Sequence, residues 1–341
     1  MRKILVNIIT VSFLILSGCL KDAPITQATT EQNNSADILI YLEAQGDYIN
    51  SPLMPSLIKA GDVFGNPDDK IILDVRSTSD FTAGHIQNAI NIKPSDILNF
   101  VKTADPNKTV VIVSLTGQSA SYYTGLLRLD GFINVYALKY GMASWNMDFA
   151  GPWIANNQQT NFFTNLVFNK PPVSALPEIT FTNSEGNIKE KINTIIQELM
   201  SNTFSEDDVS DASISTNSLL DIYSTSRGDY LNTFVVCYAQ NHGEYILGSN
   251  GALENPGHLP TAVYYQANNF GASDLRSTAF LQTIPNNKDI VVYSRIAHLS
   301  AFITAYLRLL GYRAKSLLFG IRWRVGFSLT EVQNYPYVTG T

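Results

Sequence analysis

The chain is nearly free of cysteine: its 341 residues hold two, Cys19 and Cys237. So small a number excludes a disulfide framework and any cluster of thiolate metal ligands. Histidine is almost as scarce. His85, His242, His258 and His298 are scattered at no recognised ligand spacing, and there is no haem-attachment motif. No metal and no other cofactor is therefore expected. Charge is low as well: 15% of residues are charged, against about 25% in ordinary domains. Acid exceeds base, 29 to 23, for a net charge of -6. Beyond the first few residues no stretch is rich in Lys or Arg. Nucleic acid is thereby excluded as a partner, since phosphate neutralisation needs a basic footprint. No apolar run reaches the length of about 20 residues that a confident membrane span requires.

What is present begins with a targeting segment. Arg2 and Lys3 precede an apolar run from Val6 to Leu16, which ends at Leu16-Ser17-Gly18-Cys19. This pattern resembles a bacterial lipoprotein signal. The resemblance implies that residues 1–18 are removed and that Cys19 carries the acyl chains, palmitate among them. Two or more chains anchor a protein firmly, and one does not. A plain signal peptide or an anchor helix that happens to contain Cys19 is the alternative. Leu20 follows the cysteine where an Asp would favour inner-membrane retention, so the outer membrane of the cell envelope is the expected address. Residues 19–36 are rich in Thr, Gln, Asn and Ser and read as a flexible tether. With Cys19 lipidated, Cys237 is left as a lone thiol.

The rest of the chain contains an internal repeat. Val110-Val111-Ile112-Val113 runs into Ser114-Leu115-Thr116-Gly117-Gln118-Ser119. Ile290-Val291-Val292-Tyr293 runs into Ser294-Arg295-Ile296-Ala297-His298-Leu299. A helix follows each, ending in Leu127-Arg128-Leu129 and Leu307-Arg308-Leu309. The offset is about 180 positions, the scale of a whole domain. Strand-like apolar runs alternate with helical segments, so each repeat is expected to be α/β, a mostly parallel sheet flanked by helices. Domains are expected at residues 37–155 and 206–334. The linker between them, residues 156–205, is broken by Pro171, Pro172 and Pro177. It carries one amphipathic helix through Ile188, Ile192, Ile195, Ile196 and Leu199.

The motifs of the first repeat resemble the rhodanese family. They are Asp74-Val75-Arg76, Phe81, Gly84-His85-Ile86, Ala89-Ile90-Asn91-Ile92, Thr116-Gly117-Gln118-Ser119, Leu127-Arg128-Leu129 and Gly141-Met142-Ala143-Ser144-Trp145. They cover residues 65–147. The second repeat is fainter, over residues 215–325, and has Cys237 and Ala239 in place of the acid and the arginine. The resemblance implies two rhodanese-like domains, as in tandem sulfurtransferases. It also implies a cysteine after the central strand that carries sulfur as a persulfide, held by loop N–H groups and a helix N-terminus. Here those positions are Ser114 and Ser294. A serine hydroxyl forms no persulfide, so the family mechanism is not available at either loop.

A nucleophilic serine needs a neighbouring base, and the first loop has none. His85 and His258 occupy matching turns and read as fold-stabilising, with a general base as the alternative. His298 reads as a solvated loop residue that could also meet an anion beside Arg295. Cys237 lies on an apolar strand, where thiols are inert. Ser114, Thr116, Gly117, Gln118 and Ser119 form a candidate anion-binding loop, or simply a turn that the fold needs. The reading leans away from an enzyme. It leads to a membrane-anchored, inactive binding or scaffold protein with an envelope protein partner. Small-anion or sulfur-species binding and residual sulfur transfer remain as alternatives.

Overall fold

Two sheets of identical topology carry the molecule. The computed structural model describes residues 34–46, 49, 54–156, 164, 166–181, 186–201, 204–224, 229–247, 257–267, 273–321 and 328–340. The signal, Cys19 and most of the expected tether lie outside the described residues. Residues 34–36, expected to belong to the tether, are helical. They open α1 (Asn34–Ala44), where the Ser35 hydroxyl contacts the carbonyls of Pro177 and Leu310 at 2.5 and 3.1 Å.

The first half comprises β1 (Leu57–Ile58), α2 (Ala60–Gly65), β2 (Lys70–Asp74), α3 (Thr78–Ala83), β3 (Ile90–Asn91), α4 (Pro94–Thr103), β4 (Thr109–Val113), α5 (Gln118–Leu129), β5 (Val135–Leu138), α6 (Met142–Trp145) and α7 (Gly151–Ala155). Then α8 (Ile188–Ser201) leads to β6 (Ser213–Ile214), α9 (Thr216–Tyr223), β7 (Thr233–Ala239), α10 (His242–Leu247), β8 (Val263–Gln266), β9 (Asp289–Tyr293), α11 (His298–Leu309) and β10 (Ala314–Leu317). The strand orders are β1-β5-β4-β2-β3 and β6-β10-β9-β7-β8, every pair parallel. The α/β expectation for both halves therefore holds.

The local reasons are ordinary ones. Val110 to Val113 are buried on both faces, which is why β4 reads as a continuous apolar run rather than an alternating one. The Ser77 hydroxyl accepts the N–H of Asp80 and starts α3. Pro94 opens α4, where a missing N–H costs nothing. Helix α5 is buried along its whole length, because its own sheet covers one side and α11 the other. Gly125 makes that approach workable: a Cβ there would sit 3.1 Å from the Phe302 ring and 3.2 Å from the Ala305 methyl. One apolar core consequently runs through Tyr122, Leu126, Phe302 and Tyr306 and takes in Ile192 and Ile196 of α8.

The halves also exchange their ends. The Glu43 carboxylate of α1 accepts the N–H and hydroxyl of Ser277 at 2.9 and 2.6 Å. The C-terminal stretch returns to the first sheet, where His85 and Val338 pair and the Trp145 indole donates to the Pro336 carbonyl at 2.8 Å. Among the described residues no helix is long and apolar enough to cross a membrane.

Candidate functional site

Both loops stand at the C-terminal end of a central strand and open a twelve-residue helix. In the first, Gly117 takes a left-handed conformation, φ +82°, and turns the chain from β4 into α5. This aims the N–H groups of Thr116 and Ser119, with the hydroxyls of Ser114 and Ser119, at one point. The helix N-terminus adds positive partial charge there.

That point is occupied by a carboxylate of the chain itself. Ser114 Oγ donates to Glu206 Oε1 at 2.7 Å. Ser119 N and Oγ donate to the same oxygen at 2.8 and 2.9 Å. Thr116 N donates to Glu206 Oε2 at 2.9 Å. The Ser114 oxygen also accepts from the N–H groups of Gly117 and Ala120 at 3.0 and 3.3 Å. Beside Glu206, the Phe204 ring packs on Tyr122 with centroids 5.4 Å apart. Sequence reasoning missed Glu206. It lies 92 positions from Ser114 on the connection after α8, and its one visible signal is the acidic run Glu206-Asp207-Asp208.

Of the loop residues expected to bind an anion, Ser114, Thr116 and Ser119 contact this carboxylate directly, and Gly117 shapes the turn. Gln118 does not face it. Its amide donates to Thr116 Oγ1 at 2.8 Å, and its Oε1 accepts the N–H of Phe319 at 2.7 Å. Its counterpart in the second loop, His298, makes the reciprocal contact, its Nε2 accepting the N–H of Tyr140 at 3.0 Å. Each loop thus grips the turn that follows β5 or β10 in the opposite half. Trp153 stacks parallel to the His298 ring at 5.9 Å and donates its indole N–H to the Thr116 carbonyl at 3.0 Å.

The expectation of a solvated His298 is therefore wrong. The ring is fully buried, because satisfying a backbone N–H across the interface outweighs exposure of a polar loop residue. Nε2 accepts, so the proton sits on Nδ1 and is donated to the Ile296 carbonyl at 2.8 Å. Burial lowers its pKa from 6.5 to about 4. Above pH 6.5 neither folded nor unfolded chain is protonated here. As pH falls below 6.5 the unfolded chain takes up a proton that the folded one refuses, so stability drops, levelling off below about pH 4. Roughly 2 kcal/mol should be lost from this group between pH 6.5 and 5. His298→Gln, which copies Gln118, should flatten that limb in urea unfolding; an unchanged acid limb would refute the assignment.

His85 and His258 are packing groups, as expected. His85 stacks on Phe81 at 3.7 Å, its Nδ1 bonded to the Phe81 carbonyl; His258 stacks on Tyr245 at 3.7 Å. Asp74 and Arg76 form a buried ion pair at 2.6 Å, and Arg76 also donates to the Gly84 carbonyl at 2.7 Å. Cys237 lies opposite Tyr293, as Asp74 lies opposite Val113. Burial pushes its thiol pKa up to about 12, so it carries negligible thiolate near neutrality. Among the described residues no group of three or more His, Cys, Asp or Glu could hold a metal ion.

The family model described as rhodanese-like domain matches residues 59–148. Thiosulfate sulfurtransferase GlpE of Shewanella oneidensis is 32% identical over 75 residues, 22% of this chain and 74% of that protein. The uncharacterized protein YibN of Escherichia coli is 35% identical over 83 residues, 24% of this chain. The match spans 58% of YibN's length. Among solved structures, a rhodanese-related protein from Thermoplasma volcanium has 27% identity and a TM-score of 0.25, with 26% of this chain and 89% of that chain covered. SseA of Escherichia coli has 15% identity and a TM-score of 0.28, with coverage of 78% and 98%.

Proposed function

The chain belongs to the rhodanese-like family, and from that premise we propose that it is a lipid-anchored, sulfur-silent binding component of a cell-envelope protein assembly. The observation that carries this reading is the Glu206 carboxylate in the first loop. Sulfur transfer at that loop would need a thiolate where Ser114 stands and free N–H groups around it. Here the hydroxyl and the Thr116 and Ser119 N–H groups are all committed to Glu206.

The same contact weighs against small-anion capture by Ser114, Thr116 and Ser119, because an incoming anion must first displace a tethered carboxylate. Residual transfer through Cys237 is disfavoured by a thiol that burial holds protonated. The low charge of the chain suits protein contacts better than nucleic acid. Anchoring rests on the sequence before Cys19, and the outer membrane on Leu20.

The test is capture of the full-length protein from gently solubilised native membranes, followed by mass spectrometry. A reproducible stoichiometric envelope partner, lost together with membrane association in Cys19→Ser, is expected. Recovery of the protein alone, or of Cys19→Ser still in the membrane fraction, would contradict the proposal.

A further inference from the structure

The two loops differ in what fills them. At the constant offset, Ser294, Ile296 and Leu299 of the second loop stand where Ser114, Thr116 and Ser119 stand in the first. The scaffold is the same: Ala297 takes the left-handed turn at φ +61°, and Ser294 Oγ accepts the Ser300 N–H at 3.0 Å. Among the described residues, however, no acceptor meets the N–H of Ile296, the N–H of Leu299 or the hydroxyl proton of Ser294. Ser294 is 3% exposed, yet it lines a cavity of about 170 Å³. Ser294 is buried while Ile296 and Leu299 are partly exposed, and the same three donors in the first loop all turn to a carboxylate.

Strand register puts Ala239 where the first half has Arg76, since Cys237 opposes Tyr293 as Asp74 opposes Val113, and Ala239 is one wall of the cavity. The remaining walls are Pro55, Leu57, Tyr238 and Leu299, with Arg295 and Glu244 as the charged groups. Glu244 Oε2 accepts the Gln240 N–H at 3.1 Å.

We propose that the second loop receives a carboxylate side chain presented by an extended acidic segment of a partner protein, as the first loop receives Glu206 from its own chain. The three donors take the carboxylate, and the apolar wall seats a neighbouring apolar residue, as Tyr122 seats Phe204. One carboxylate suits the site better than a free dianion, because Glu244 repels excess negative charge while Arg295 offsets a single one. The inference rests on the binding-protein reading and names the chemistry of its partner.

The probe is a fluorescein-labelled peptide, Phe-Ser-Glu-Asp-Asp, titrated by anisotropy against the detergent-solubilised full chain. Its Phe-Ser-Gln-Asp-Asp counterpart should bind at least about tenfold more weakly, the loss of one charge-assisted bond. Arg295→Ala should weaken the acidic peptide about fivefold and Glu244→Gln should tighten it, since both are partly exposed changes near the charge. Equal binding of the two peptides would overturn the proposal. So would affinity that ignores both substitutions but rises in Glu206→Ala, which would place the peptide in the first loop. Acetate matching the peptide's affinity would also overturn it, by making the site one for a free small carboxylate. The titration involves no native membrane, so its failure leaves the capture experiment standing, and an empty capture leaves the titration standing.

Discussion

Glu206→Ala is expected to cost the folded protein about 3 kcal/mol and to make its stability depend on small anions for the first time. The carboxylate accepts four hydrogen bonds, from Ser114 Oγ, Thr116 N and both donors of Ser119. Bonds to a charged acceptor are worth about 1.5–3 kcal/mol each, and donors left bare lose their desolvation cost as well. Glu206 is only half-buried, so water recovers part of the loss and the net stays well below the sum. Acetate or sulfate should then bind the vacated loop and raise the melting temperature of Glu206→Ala, with a stabilisation of about 2.7 kcal/mol at 100 times the dissociation constant. The wild type should not respond through this loop. Differential scanning fluorimetry with and without anion reads both parts. Equal anion responses in the two proteins, or a loss under about 0.5 kcal/mol, would sink the tethered-carboxylate account. Filling the loop with Gly117→Val is a poor substitute, because a Cβ there would meet the Gly141 N and Leu138 O at 2.8 Å and His298 Nε2 at 2.7 Å. It would break the clasp between the halves.

Ser114→Cys alone should leave thiosulfate–cyanide transfer near background, whereas Ser114→Cys with Glu206→Ala should exceed that background by about 100-fold. Restored donors at an oxyanion site are worth about that factor. In the single variant the new sulfur stands against the Glu206 oxygen that now lies 2.7 Å from Ser114 Oγ. A neighbouring negative charge raises the thiol pKa and keeps it protonated. Removing Glu206 frees the N–H groups of Thr116 and Ser119 and exposes the N-terminus of α5, all of which favour a thiolate. A single variant as active as the double would show that Glu206 does not close the loop. A folded but inactive double variant would show that more than these two residues was lost.

Much of the fold was legible because it is local. The continuous apolar runs at β4 and β9, the helices behind them and the turns carrying His85 and His258 are each set by neighbours in sequence. The edge strands β1 and β6 were missed, since two residues each hold too little pattern to mark a strand. The loops Ser114–Ser119 and Ser294–Leu299 were found, but their state was not. Glu206 reaches the first loop from 92 positions away. The clasp joins Gln118 to Phe319 and His298 to Tyr140 across separations of 201 and 158. Polar residues at such points look solvated in a sequence, because their burial is decided by backbone donors that only the assembled halves bring near. Tyr140 and Phe319 both sit at positive φ, 63° and 61°, which turns their N–H groups towards those partners.

The most direct test of sulfur silence is the intact mass of the wild-type protein after incubation with thiosulfate and removal of the excess. An unchanged mass is predicted, with Ser114 and Ser294 at the loop positions and Cys237 buried and protonated. A gain of one sulfur atom that cyanide then removes would mean that the chain carries persulfide, and would contradict the account.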